Sequence, residues 1–110
     1  MQAGGPTLGI RKEKTINKTY LVNPNAGVMI KNKYGNIYVT TWNEDKIALE
    51  IAIKVSGKSE DKVDKKLNSI SIDINPLKNM VYAKTVFGES PGNNISIEVN
   101  YTIKIPKKGY

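Results

Sequence analysis

The sequence has no cysteine and no histidine among its 110 residues. Without cysteine, the chain can form no disulfide framework, no thiolate nucleophile and no zinc–thiolate site. Without histidine, it offers no imidazole ligand for a metal and no serine–histidine pair for nucleophilic catalysis. Carboxylate, lysine, tyrosine and hydroxyl groups remain, but no arrangement of them along the sequence stands out as catalytic. We therefore expect a protein that is not an enzyme and that uses no cofactor and no metal ion.

Arginine is scarce as well, because Arg11 is the single arginine among 17 basic residues in a chain of net charge +7. Arginine is the side chain that reads bases and grips phosphates through two parallel hydrogen bonds. The surplus charge also sits largely at the ends of the chain. Residues 1–14 carry +2 and residues 104–110 carry +3, whereas residues 15–103 hold 11 bases against 9 acids. The sequence thus argues against nucleic acid as a partner.

Long apolar runs are also missing. Residues 1–14 lack the apolar stretch of a signal peptide, and no later segment approaches the roughly 18 continuous apolar residues of a membrane-spanning helix. The length fits a single domain. Composition predicts a disordered leader at residues 1–14, one β-rich domain at residues 15–106 and a C-terminal stub at residues 107–110.

From residue 16 onward, apolar and polar residues alternate with the period of two that marks half-buried strands. The pattern predicts strands at residues 16–22, 28–33, 37–41, 46–56, 70–75, 80–87 and 94–105. Tyr20 and Tyr101 fall on the apolar side of their strands and are expected in the core or at its edge. Since each strand has one apolar and one polar face, we predict a mainly β fold. Its expected form is an antiparallel β-sandwich of about seven strands with one short α-helix.

One segment, residues 59–69, changes to a helical period. Val63, Leu67 and Ile70 are spaced i, i+4 and i+7, so they share one helical face. Ser59 is a suitable N-cap, and the two acids that follow it favour the start of a helix. We expect this helix to pack over one face of a sheet. The lysines in and before it are predicted to form a solvated face: Lys58, Lys62, Lys65 and Lys66.

One polar triplet, Asn43-Glu44-Asp45, has the oxygen ligands that a hard cation such as calcium prefers. It has none of the spacing of a calcium-binding loop. It lies between two predicted strands, where asparagine and aspartate commonly form turns. We therefore interpret the triplet as a turn and not as a metal site.

Two serine–lysine pairs occur just before the predicted helix. Ser56 with Lys58, and Ser59 with Lys62, would each place an amine near a hydroxyl, as nucleophilic catalysis requires. At the start of a helix, however, serine is an expected cap and lysine is an ordinary solvated residue. Capping is the interpretation that we favour.

Three carboxylates, Glu50, Asp73 and Glu98, lie on the polar faces of separate predicted strands. Two of them could act as an acid–base pair only if a sheet brought them together. Pairing with neighbouring lysines is the more common arrangement. An enzyme that works with carboxylate or hydroxyl groups is therefore a remote alternative.

Three aromatic residues, Tyr34, Tyr38 and Trp42, cluster within nine positions. Aromatic rings grouped in this way serve either as structural packing or as a contact surface for sugars and other ligands. Tyr38 lies on the strand face opposite Ile37 and Val39 and is expected to be exposed. The three aromatic residues are the candidate contact surface of this sequence.

A distinctive stretch, residues 30–47, reads Ile-Lys-Asn-Lys-Tyr-Gly-Asn-Ile-Tyr-Val-Thr-Thr-Trp-Asn-Glu-Asp-Lys-Ile. Residues 15–22 read Thr-Ile-Asn-Lys-Thr-Tyr-Leu-Val, and residues 101–106 read Tyr-Thr-Ile-Lys-Ile-Pro. Together these segments resemble a family of Bacteroidetes cell-envelope proteins described only as adhesin-like, or as a domain of unknown function with β-strand repeats. The residues that match its turn and strand-end pattern are Tyr34, Gly35, Asn36, Ile37, Thr41, Trp42 and Asn43. The similarity covers residues 15–106.

The resemblance implies a role and a location. The expected role is that of a non-enzymatic cell-envelope module for adhesion or scaffolding, exported with its signal peptide already removed. Its partner would be an envelope protein or a surface polysaccharide, and a repetitive β region would follow residue 106. A second hypothesis is a binding module for acidic glycan or lipopolysaccharide that uses the terminal lysines with Tyr34, Tyr38 and Trp42.

Overall fold

Seven strands and one short helix follow one another in the computed structural model, which describes residues 9–88 and 95–108. Each strand coincides, within a few residues at its ends, with a segment of period two, except that β1 begins six residues before its predicted start. The agreement confirms the predicted mainly β fold class. The elements are β1 (Ile10–Leu21), β2 (Gly27–Lys31), β3 (Ile37–Trp42), β4 (Lys46–Gly57), α1 (Glu60–Ser69), β5 (Ser71–Pro76), β6 (Met80–Val86) and β7 (Ile95–Pro106).

The strands form two sheets, which we call sheet A and sheet B. Sheet A has the order β1-β4-β7-β3, and sheet B has the order β2-β6-β5. Three of the pairings are antiparallel, as expected, but β2–β6 and β3–β7 are parallel. In sheet A the reason is that β7 lies between β3 and β4, which a short turn joins. A strand antiparallel to β4 must then run parallel to β3.

The core lies between the sheets, where every second residue is buried from Ile47 to Val55 in β4 and from Val99 to Ile105 in β7. From sheet A the buried side chains are Ile47, Leu49, Ile51, Ile53, Val55, Val99, Tyr101, Ile103 and Ile105. Sheet B contributes Val81 and Ala83, with Ile30 and Ile74 partly buried beside them. The predicted core positions of Tyr20 and Tyr101 are confirmed, since Tyr101 is fully buried and Tyr20 packs partly buried against the core.

Helix α1 packs against β1 and β4 at one end of sheet A. Its predicted apolar face is confirmed, because Val63, Leu67 and the following Ile70 are buried. The predicted cap is also confirmed, since the backbone N–H of Lys62 donates to Ser59 Oγ at 3.4 Å. One prediction was wrong. Lys66 is only 3% exposed, because it follows Val63 by three positions and so falls on the packed face rather than the solvated one.

The predicted boundary of the leader was also wrong, because β1 begins at Ile10 and pairs with Gly57 at the far end of β4. Residues 10–14 hide their strand pattern because lysines occupy the positions that face α1. Lys12 Nζ lies 3.0 Å from Glu60 Oε2 and 2.7 Å from an Asp64 carboxylate oxygen. Three predictions extend beyond the described part of the chain. They are the leader at residues 1–8, the start of the last strand at residue 94 and the stub at residues 109–110.

The chain passes from sheet B to sheet A through a tight turn between β2 and β3. Tyr34 adopts a left-handed conformation with φ of 58°, which is uncommon for a residue with a side chain. The carbonyl of Tyr34 accepts a hydrogen bond from the Val99 N–H at 3.0 Å. A Cβ atom on Gly35 would collide with the Val99 carbonyl and lie 2.8 Å from Asn100 Oδ1. Only glycine fits where the turn crosses β7.

Candidate functional site

Two of the three candidate aromatic residues lie on one open face of sheet A. Tyr38 and Trp42 are four positions apart in β3, so their side chains project from the same side of the strand. We call this side, which faces away from sheet B and α1, the outer face. The pairing register places side chains of β7, β4 and β1 on the same face as Tyr38 and Trp42. These outer-face neighbours are Thr102 and Lys104 of β7, Ala48 and Glu50 of β4, and Asn17 and Thr19 of β1.

Trp42 is half-buried and is held in place from two directions. Its indole N–H donates to the Lys46 carbonyl at 2.8 Å, across the turn between β3 and β4. The ammonium of Lys104 lies 5.4 Å from the centroid of the Trp42 ring, within the range of a cation–π contact. The ring thus has a structural role and also presents an aromatic surface next to a positive charge.

A shallow cleft of about 290 Å³ runs across the outer face from Trp42. Of its lining residues, those at outer-face positions carry one ammonium, one carboxylate, two hydroxyls and one amide, while Lys18 lines it from an inward-facing position. The outer-face groups belong to Lys104, Glu50, Thr19, Thr102 and Asn17. An aromatic ring flanked by hydrogen-bonding groups and a cation suits a ligand that has both an apolar face and many hydroxyl or acidic groups.

Tyr34, the third candidate, belongs elsewhere. It lies in the turn between the sheets, where its ring meets the ring of Phe87 edge-on, with centroids 5.2 Å apart and an interplanar angle of 86°. Such a geometry is typical of stabilising aromatic pairs. The structure therefore separates the predicted cluster. Tyr34, although 57% exposed, packs its ring edge against Phe87, whereas Tyr38 and Trp42 share the outer face.

The three candidate carboxylates are not register partners of one another. Glu50 pairs in register with Thr102, and Glu98 pairs with Lys54. Asp73 is in the other sheet, opposite Lys84. Asp73 and Glu98 thus each lie opposite a lysine, which is the arrangement that we predicted for these carboxylates.

The turn prediction for Asn43-Glu44-Asp45 is confirmed, since these residues form the bend between β3 and β4. Within residues 9–88 and 95–108, no three carboxylates gather as a metal site needs. Of the two serine–lysine pairs, Ser59 with Lys62 is the helix cap already described. Ser56 lies inside β4, in register with Arg11 and Ser96 of the neighbouring strands.

A polar chain that we did not predict crosses the core. Asn32 Nδ2 donates to the Val99 carbonyl at 2.8 Å, and the Thr85 hydroxyl donates to Asn32 Oδ1 at 3.0 Å. The Tyr101 hydroxyl completes it, 2.7 Å from Thr85 Oγ1. Burial raises the pKa of Tyr101, while the hydrogen bond to Thr85 partly lowers it. The signal in the sequence was Thr85, a polar residue in the apolar phase of β6.

Sequence reasoning found Tyr38 and Trp42 and included Lys104 among the terminal lysines of the second hypothesis, but it missed other neighbours across the sheet, such as Thr102 and Asn17. These residues reach the cleft only through strand pairing over long distances in the chain, and the local pattern of each strand is the same as that of any half-buried strand. Their one shared signal was a polar residue at an outward position.

Comparison with protein-family models, with curated proteins and with solved structures found no match to this chain. The part of the chain that the structure describes contains no helix with the length and hydrophobicity needed to cross a bilayer.

Proposed function

We propose that this protein is a non-enzymatic interaction module of the bacterial cell envelope, which adheres to or scaffolds its partner through the outer face of sheet A. The observation that carries the proposal is the outer-face pair of exposed Tyr38 and half-buried Trp42, with Lys104 against the Trp42 ring and a polar cleft beside it. The envelope location comes from the sequence resemblance.

The outer face is suited to contact because the sheet beneath it is paired over long strands and packed against the core. Strands β4 and β7 pair along ten residues, and their inward side chains are buried except for Ile95 and Ile97, which are partly buried. An aromatic side chain on such a support loses little conformational entropy when a partner covers it. Tyr38 is 55% exposed, so a large apolar area is available for burial.

Acidic glycan is the ligand class that the outer face favours, and lipopolysaccharide belongs to the same class. Sugar rings have an apolar face that stacks on an aromatic ring, and a carboxylate or phosphate on the sugar would meet the ammonium of Lys104. The hydroxyls of Thr19 and Thr102 and the amide of Asn17 supply hydrogen bonds along the cleft. Glu50 disfavours a second acidic group at the far side.

Fluorescence tests this proposal directly, because Trp42 is the single tryptophan of the chain. Polygalacturonate added at low salt should change the Trp42 emission in a saturable way, and salt should reverse the change because the contact depends on charge. Neutral dextran of similar length is the control ligand and should leave the emission unchanged at the same concentration.

Two variants locate the contact. Lys104→Gln should remove most of the salt dependence, and Tyr38→Ala should weaken binding while the Trp42 signal stays readable. Lys65→Gln, which removes an exposed charge on α1 instead, is the matched control and should bind as the wild type does. Trp42→Ala is less informative, since it also breaks the bond to the Lys46 carbonyl. A flat titration at low salt would remove acidic glycan as the ligand.

The location is tested separately. The native protein, detected with an antibody in fractionated cells of the source bacterium, is expected in the envelope fraction. Recovery in the cytoplasmic fraction would contradict the envelope role, whatever the outcome of the glycan titration.

A further inference from the structure

Strand β3 is one edge of sheet A, and half of its backbone groups point away from the sheet. The Tyr101 N–H donates to the Asn36 carbonyl at 2.9 Å, and the Lys107 N–H donates to the Trp42 carbonyl at 3.1 Å. Even-numbered positions of this segment therefore face β7, and backbone groups alternate sides along a strand. The outward-pointing groups are the N–H and C=O of Ile37, Val39 and Thr41. Across residues 9–88 and 95–108, no strand lies along that edge.

The other edges of the two sheets carry the usual protection against pairing with another chain. Charged residues and proline on an edge strand discourage such pairing. Strand β1 has five charged residues, β2 has Lys31, and β5 has Asp73 and Pro76. Strand β3, with the sequence IYVTTW, has no charge and no proline. It consists mostly of β-branched and aromatic residues, which favour strand pairing.

We propose that β3 pairs with β3 of a second copy of this chain, antiparallel and about a two-fold axis at Val39. This register sets Val39 opposite Val39 of the second copy and Ile37 opposite its Thr41. Each of these facing pairs is of the hydrogen-bonded type and exchanges two hydrogen bonds, so every outward N–H and C=O of Ile37, Val39 and Thr41 is satisfied. The product is one continuous sheet with four strands from each copy.

We assign a second copy of the chain as the partner of β3 because this edge strand carries no charge. At a two-fold axis each residue near the centre faces itself or its near neighbour, so any charge in β3 would repel its own image. Complementary charge is one device that selects a specific foreign partner, and β3 carries no charge for it. Ile37 and Val39, which are 42% and 46% exposed, would gain cross-strand apolar contacts in the symmetric pair.

This inference goes beyond the proposed function and does not depend on it. Facing residues in paired strands project from the same side of the sheet, so Tyr38 would lie opposite Thr40 of the second copy. The outer faces of both copies would then form one surface. A single pair of six-residue strands is smaller than the interface of a permanent dimer, so we expect a reversible dimer.

Sedimentation equilibrium of the whole chain tests the inference. Between about 10 μM and about 1 mM, a range that separates weak dimers from monomers, the average mass should rise from that of one chain towards that of two. Val39→Lys sets two positive charges face to face, and Val39→Pro removes an outward N–H. Each should weaken dimerisation at least about tenfold, which is ~1.4 kcal/mol.

The matched control is Ser71→Lys, which adds the same charge to an exposed position of the β5 edge and should dimerise as the wild type does. Both Val39 variants should keep the melting temperature of the monomer within a few degrees. Val39→Pro removes only the Val39 N–H, which has no partner in sheet A, and Val39→Lys keeps it. Thr40→Pro removes an N–H that faces β7 and should unfold the chain.

A cysteine provides a readout that does not depend on variants that weaken the dimer. The natural chain has no cysteine, so Val39→Cys creates one thiol, placed about 5.5 Å from its copy between Cα atoms, which allows a disulfide. Mild oxidation should cross-link Val39→Cys much faster than Ser71→Cys. A chain that stays monomeric at the highest concentration, equal cross-linking of both variants, or association that Val39→Lys leaves unchanged would each overturn the inference.

Discussion

The hydroxyl of Tyr101 in sheet A lies 2.7 Å from the hydroxyl of Thr85 in sheet B, deep in the core. Since Thr85 donates its own proton to Asn32 Oδ1, Tyr101 must donate to Thr85. A core of aliphatic side chains would tolerate small shifts of one sheet over the other. This hydrogen bond fixes their relative position, because an unpaired hydroxyl in such a place is costly.

Tyr101→Phe should destabilise the protein by about 1–2 kcal/mol, because Thr85 loses its buried donor while the ring volume is kept. Urea denaturation measures the loss. Tyr82→Phe, which removes a hydroxyl from the exposed face of sheet B, is the control and should cost less than ~0.5 kcal/mol. Equal stability of both variants would contradict the structural role of the Tyr101 hydroxyl.

Stability should also fall at alkaline pH in a way that Tyr101 controls. Burial raises the pKa of Tyr101 above its ordinary value near 10, so the folded state holds this proton more tightly than the unfolded state. The stability that the protonated Tyr101 hydroxyl gives the folded state is fully present below that ordinary value. It is lost as the pH rises through the higher pKa of the folded state. Urea midpoints from about pH 8 to about pH 11 should therefore show the wild type losing its advantage over Tyr101→Phe. A constant difference would contradict this assignment.

Gly35→Ala should cost at least about 3 kcal/mol, because the new methyl group meets the Val99 carbonyl in the turn that connects the sheets. Thermal unfolding measures the effect. Lys33→Ala, an exposed substitution in the same turn, should change stability by less than ~0.5 kcal/mol. A mild effect at Gly35 would mean that the turn can move away from β7.

Lys12→Gln should lower stability in a salt-dependent manner. The hydrogen bond to Asp64 and then that to Glu60 raise the pKa of Lys12, so these contacts favour its charged form and tie β1 to α1. The stability that charged Lys12 adds through these contacts is fully present below its ordinary pKa of 10.5. It is lost as the pH rises through the raised pKa. The difference in melting temperature from the wild type should shrink between about 20 mM and about 1 M salt. Lys62→Gln, on an exposed part of α1, should melt with the wild type.

The strands and the helix could be predicted because burial on one side imposes a period on each segment. Residues 46–57 carry that period without interruption, and β4 is accordingly the best-buried strand. The alternation of apolar and polar residues is lost where another element packs over the strand and contacts its charged side chains. At Lys12 and Lys14 the covering element is α1, and the ammonium of Lys14 donates to the Ile70 carbonyl at 3.1 Å. A run of charged residues therefore concealed the first part of β1, whereas the rest of this strand was predicted.

Strand order and most of the outer face could not be predicted, because pairing depends on contacts between distant segments. Nothing in the sequence of β3 indicates that it lies beside β7, since the nearest strand along the chain is β4. Lys104 and Trp42 consequently meet only in the folded sheet. For the same reason Ile37 and Val39, on the apolar phase of β3, remain exposed, because sheet B does not extend over them.

The position of β7 has a consequence for the order in which the sheet can assemble. During synthesis, β3 and β4 leave the ribosome early, yet Ile37 pairs with Tyr101, 64 positions later. Until that strand emerges, β3 has no neighbour in its sheet and β4 has only β1. Folding must therefore insert a late strand between two early ones, which is a slow, high-contact-order step. For that interval the nascent chain carries two open edges that other polypeptides can reach.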